Sequence, residues 1–88
     1  MERIEGEITI KNPHGLHVRP AAVFVQIASK FDSSVYLEKD GEKVDGKSII
    51  AILSLGANNG MTVKVIVEGN DAELAFAELK SFLEKEDV

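Results

Sequence analysis

The stretch Ser48-Ile49-Ile50-Ala51-Ile52-Leu53-Ser54-Leu55 decides the architecture, because it is too uniformly apolar to assign by period alone. The β-branched Ile49, Ile50 and Ile52 favour a strand. Gly46 and Gly56 on its flanks, and Ser48 at a position typical of an N-cap, favour a short helix, and helix is the reading adopted. A helix this short cannot bury all its sides against one sheet. One or two of Ile49, Ile50 and Leu53 should therefore reach solvent, either as a docking surface or under a neighbouring loop.

Upstream, Asp40-Gly41 is a hairpin signal between Val35–Lys39 and Glu42–Val44. Further back, Ile4, Gly6, Ile8 and Ile10 alternate with polar residues as a half-buried strand. Val18–Ser29 places Ala21, Phe24, Val25 and Ala28 at the spacing of a core-facing helix stripe. Downstream, Ala57–Gly60 reads as a turn and Met61–Val67 as a strand with Val63, Val65 and Val67 on one face. Asn70, Asp71 and Glu73 mark the start of a last helix reaching about Lys85, which buries Leu74 or Ala75, Leu79, Phe82 and Leu83. The order is β-α-β-β-α-β-α. That pattern predicts an α+β domain, a single unit over residues 1–88, with an antiparallel sheet covered by helices on one face.

Composition narrows the function classes. The chain has 88 residues, a net charge of −5 and no cysteine, which excludes disulfides, Fe–S clusters and thiolate metal sites. An acidic balance argues against general nucleic-acid binding. No apolar run reaches membrane-spanning length and the N-terminal residues do not resemble a signal peptide, so a cytoplasmic location without membrane insertion is expected. Lys11, Arg19, Lys30 and Lys47 are a local basic content suited to an acidic partner.

Chemistry concentrates in Asn12-Pro13-His14-Gly15-Leu16-His17-Val18-Arg19-Pro20-Ala21-Ala22. Pro13 and Gly15 end the first strand, and Pro20 fits only the first turn of a helix. His17 falls at that helix start, where unpaired N–H groups and the dipole favour an anion and a neutral imidazole. The residue is either a polar cap or a nucleophile toward phosphorus, with Arg19 shaped for phosphate oxygens. The small Ala21 and Ala22 let this turn sit close to another surface. His14 and His17, without nearby Asp, Glu or Cys, make a poor metal ligand set, and no metal or cofactor is expected.

Gly15-Leu16-His17-Val18-Arg19-Pro20-Ala21, together with Lys47-Ser48-Ile49 and Leu53-Ser54-Leu55-Gly56, resembles the active-site and regulatory-serine segments of the HPr family. These are the histidine-containing phosphocarriers of the bacterial phosphoenolpyruvate-dependent sugar phosphotransferase system. The resemblance implies a covalent relay protein and not an enzyme with turnover of its own. On that resemblance His17 would accept a phosphoryl group on Nδ1 from Enzyme I and pass it to sugar-specific IIA domains, Arg19 would balance its charge, and the backbone amides of Val18 and Arg19 would hold it. The resemblance also implies strand order 1-4-2-3, a monomer, and a docking patch of Ile49, Ile50, Leu53 and Ala22 beside His17.

Ser48 would be the site of an HPr kinase/phosphorylase, its phospho-form a ligand for a CcpA-type transcription regulator. The alternatives are a chiefly regulatory role and a nitrogen-branch carrier. Val18 departs from the Ala or Thr usual after the histidine, and His14 is an additional titratable group. His17 argues against Crh, the HPr-like paralogue that lacks the active histidine.

Overall fold

Val63, Val65 and Val67 form the middle of the protein because their strand is paired on both sides. In a computed structural model describing residues 2–86, the elements are β1 (Glu2–Thr9), α1 (Val18–Ser29), β2 (Ser34–Lys39), β3 (Glu42–Asp45), α2 (Ile49–Ser54), β4 (Thr62–Gly69) and α3 (Ala72–Leu83). The four strands make one antiparallel sheet in the order β1-β4-β2-β3. Both the element order and the strand order are those expected.

Side chains alternate across the sheet, so Ile8, Val35, Leu37, Val63, Val65 and Val67 meet the helices on one face. Ala21, Phe24 and Ala28 of α1, Ile52 of α2, and Ala72, Ala75, Leu79 and Leu83 of α3 complete that core. Of the Leu74/Ala75 pair, Ala75 is the buried residue. Leu74 is 61% exposed, because packing on the core selects the stripe through Ala75, Leu79 and Leu83.

The disputed run is a helix. The Ser48 hydroxyl accepts the Ala51 N–H at 3.2 Å, and Ile52 is wholly buried. Cap and burial together outweigh the weak helix propensity of the isoleucines. The Asp40-Gly41 hairpin also forms: both residues have positive φ, 52° and 84°, as a primed two-residue turn requires. The opposite face of the sheet is polar except at Ile66. It is buried beside its cross-strand neighbour Tyr36, over whose ring the Lys43 ammonium sits at 4.5 Å.

Asp71 departs from a plain cap. It sits at the α3 N-cap, yet its carboxylate makes no bond to its own helix. It accepts the Ser33 hydroxyl, the Asp32 N–H at 2.9 Å and the Ser33 N–H at 3.0 Å, tying the start of β2 to the start of α3. The Ser33 hydroxyl, then the Asp32 N–H, hold its pKa below the ordinary value. A depressed carboxyl pKa adds stability that is present above the unfolded-state pKa and is lost as pH falls through the folded one. Acid titration of unfolding should therefore show the native chain losing more stability below about pH 4 than Asp71→Asn does.

Candidate functional site

The segment between β1 and α1 is shaped by a second loop far along the chain. Ile10 N–H donates to the Met61 carbonyl at 2.9 Å, and Gly60 N–H donates back to Ile10 at 2.8 Å. Asn12 is a buried hub. Its side-chain oxygen accepts the His14 N–H at 2.9 Å, and its carbonyl accepts Gly15 N–H at 3.0 Å and Asn59 Nδ2 at 3.1 Å. The Leu16 N–H donates to Ala57 at 2.9 Å, so the 57–60 loop underlies the whole turn. Gly15 permits this approach: its φ is +62°, and a Cβ there would lie 2.8 Å from Asn58 Cα.

This turn delivers His17 to the N-cap of α1. Its carbonyl accepts the Ala21 N–H at 2.8 Å, while the exposed imidazole makes no capping bond. The Val18 and Arg19 N–H groups consequently have no hydrogen-bond partner among the described residues. They add to the positive end of the helix dipole. Arg19 is exposed and, among the described residues, forms no ion pair. His14, His17, Val18, Arg19 and Pro20 line one open groove of about 530 Å³.

On its other side His17 borders a smaller depression of about 160 Å³ with Leu16, Val18, Leu53, Gly56, Ala57 and Asn58. The structure thus brings Leu53 to His17. Ile49 and Ile50 stand at the opposite end of α2, beside the half-buried Ser48; Ile50 is 82% exposed. Ala22 is half-buried on α1.

Sequence reasoning missed two contributors. Val18 entered it as a backbone donor and as a departure from the residue usual after the histidine, but not as surface; its side chain is 66% exposed and the residue lines both depressions. Asn12 was read only as part of a turn. An Asn bonding the backbone two residues on was the available signal, whereas its link to Asn59 spans the fold.

Charge is segregated. None of the fifteen Asp and Glu residues falls within 8–31 or 46–67, the segments that carry α1, α2 and the loops around His17. Those segments contribute Lys11, Arg19, Lys30, Lys47 and Lys64, so the acidic residues come from the rest of the sequence, some of them reaching back, as Glu78 does to Lys30 at 3.0 Å. Among the described residues no group of three or more His, Cys, Asp or Glu is placed to hold a metal ion, and no helix is long and apolar enough to cross a membrane.

The family model described as the PTS HPr component phosphorylation site matches residues 4–85. The HPr-like protein Crh of Halalkalibacterium halodurans is 46% identical over 83 residues, 94% of this chain and 99% of that one. The crystal structure of HPr from Bacillus anthracis superposes with a TM-score of 0.91 at 36% identity, covering 94% of this chain and 99% of the other. Crh from Bacillus subtilis, 39% identical with a TM-score of 0.78 over 97% and 98% of the two chains, was solved as a dimer with a swapping domain. With its His17 turn and its sheet order both in place, the chain belongs to the HPr family of the phosphotransferase system.

Proposed function

We propose that the chain is a phosphocarrier in which His17 takes a phosphoryl group from phospho-Enzyme I and delivers it to IIA domains for sugar uptake. The observation that carries this reading is the pairing, at one helix start, of an exposed imidazole, two amides and a guanidinium that have no partner among the described residues. Neutral Nδ1 attacks phosphorus, the bond from phosphorus to Enzyme I breaks, and the new N–P bond is broken in turn by the acceptor. The Val18 and Arg19 amides and the Arg19 side chain meet the phosphoryl oxygens, an electrostatic role needing no metal ligand.

The site's own segments carry lysines and Arg19 but no Asp or Glu, which suits acidic partners, and Val18, Ala22, Leu53, Ile49 and Ile50 are their apolar content. Both exchanges take place in the cytoplasm, with the chain acting as a monomer. The test is intact-mass analysis after incubation with phosphoenolpyruvate and Enzyme I. One acid-labile phosphoryl group per chain supports the carrier; no gain with a competent Enzyme I removes it. Arg19→Ala should load about 10- to 100-fold more slowly than the native chain in the same assay, without loss of fold. Transfer to sugar-type and nitrogen-type IIA partners separates the two branches.

A regulatory role at Ser48 is the second reading, favoured by the half-exposed hydroxyl at the α2 N-cap and the 46% identity to a Crh protein. A phosphate there meets the positive helix end and leaves the fold intact. It also places negative charge beside Ile49 and Ile50, altering recognition by Enzyme I or engaging a CcpA-type regulator. An acid-stable phosphoryl group appearing with ATP and an HPr kinase/phosphorylase supports it, and none appearing refutes it.

A further inference from the structure

We propose that His14 is a second charge-balancing group of the phosphoryl site, one that takes up a proton when His17 is phosphorylated and so couples phosphoryl transfer to pH. This rests on the carrier reading of His17. Asn12 holds the His14 N–H through its side chain, Gly15 reverses the chain at a positive φ, and the two imidazoles end in one groove with Arg19.

A phosphorylated side chain carries close to two negative charges near neutral pH. In this groove Arg19 supplies one fixed positive charge. Besides the second ring nitrogen of His17 itself, His14 is the one titratable partner that the described lining, His14, His17, Val18, Arg19 and Pro20, offers the remaining charge. Lys11 lies in the same loop, and Glu78 of α3 and Lys85 beyond its end line a separate groove that also includes Asn12. The 57–60 loop contributes no charge, and no Asp or Glu occurs from residue 8 to 31.

An imidazole is the side chain whose ordinary titration falls in the physiological range. A dianion in the same groove favours the protonated form of such a ring. The direction follows from linkage: protonated His14 stabilises phospho-His17 at lower pH, and that stabilisation is lost as pH rises through the His14 titration. In the exchange equilibrium the phosphoryl group is then held more firmly at the acid end of the physiological range and passed on more readily above it.

The experiment measures the equilibrium of phosphoryl exchange with Enzyme I from about pH 5.5 to 8.5 for the native chain and for His14→Gln. His14 is exposed, so the variant should keep its fold, which circular dichroism verifies. The expected result is native loading about fivefold above the variant at the acid end, converging at the alkaline end. Titration of the His14 ring by NMR in both phosphorylation states provides a second reading, with the midpoint expected higher in the phosphorylated chain. Parallel loading profiles, or an unmoved midpoint in a fully loaded chain, overturn the role of His14 alone. Failure of both proteins to load at every pH overturns the carrier reading and this proposal with it.

Discussion

His17→Ala should gain no acid-labile phosphoryl group from Enzyme I and phosphoenolpyruvate, while unfolding within about 0.5 kcal/mol of the native chain. The two outcomes separate because of how His17 is used. Its contribution to the helix is a carbonyl, which accepts the Ala21 N–H in either variant, and its ring is exposed and makes no cap bond. Removing the ring therefore takes away the proposed nucleophile and little else. His14 lines the same groove, so any residual loading must be tested in the double variant. Action of the kinase on Ser48 should persist, since Ser48 caps the far end of α2, a helix about 9 Å long. Loss of both modifications in His17→Ala would contradict two separate sites.

Gly15→Val should be the opposite kind of lesion, destabilising by about 3 kcal/mol and lowering the melting temperature by about 10–20 °C. A β-branched residue is strained at a φ of +62°, and its Cβ would fall 2.8 Å from Asn58 Cα and 3.0 Å from the Ala57 carbonyl oxygen. These obstacles are backbone atoms, so relief requires parting the two loops and breaking the Leu16 to Ala57 and Asn59 to Asn12 hydrogen bonds. Calorimetry gives the stability, and phosphoryl loading should fall with it even at temperatures where the chain stays folded. A melting temperature within a few degrees of native would show that the loops separate at little cost.

How much of this was legible in the sequence depends on the range of the interactions involved. The alternation in Ile4–Ile10 and Met61–Val67, the Asp40-Gly41 turn and the Ser48 cap are local signals, and each formed where expected. The helix over Ile49–Ser54 was contested by β-branching and was settled by burial of Ile52, a tertiary effect that propensity does not contain. Boundaries moved for the same reason: β4 extends through Gly69 because Glu2 pairs with it, and α3 stops at Leu83.

Within the site, Pro20 and the glycine turn located His17 at a helix start from sequence alone. The Asn12–Asn59 bond, the Asp71–Ser33 tie and the place of Leu53 beside His17 were not legible, since each joins residues remote in the chain. Strand order was implied by the family resemblance and not by periodicity.

The support of the His17 turn by residues 57–60 also fixes an order of events during synthesis. His17 is made early, but the carbonyl of Ala57, the amide of Asn59 and the paired strand β4 are made much later. On a translating ribosome the chain therefore carries His17 while residues 18–60 are added, without the loop that shapes its turn. Pairing so distant in sequence forms late and slowly. On the carrier reading proposed above, a partner that recognised only the finished turn would spend no phosphoryl groups on nascent or truncated chains, and competence for transfer would double as a check that synthesis had run past β4.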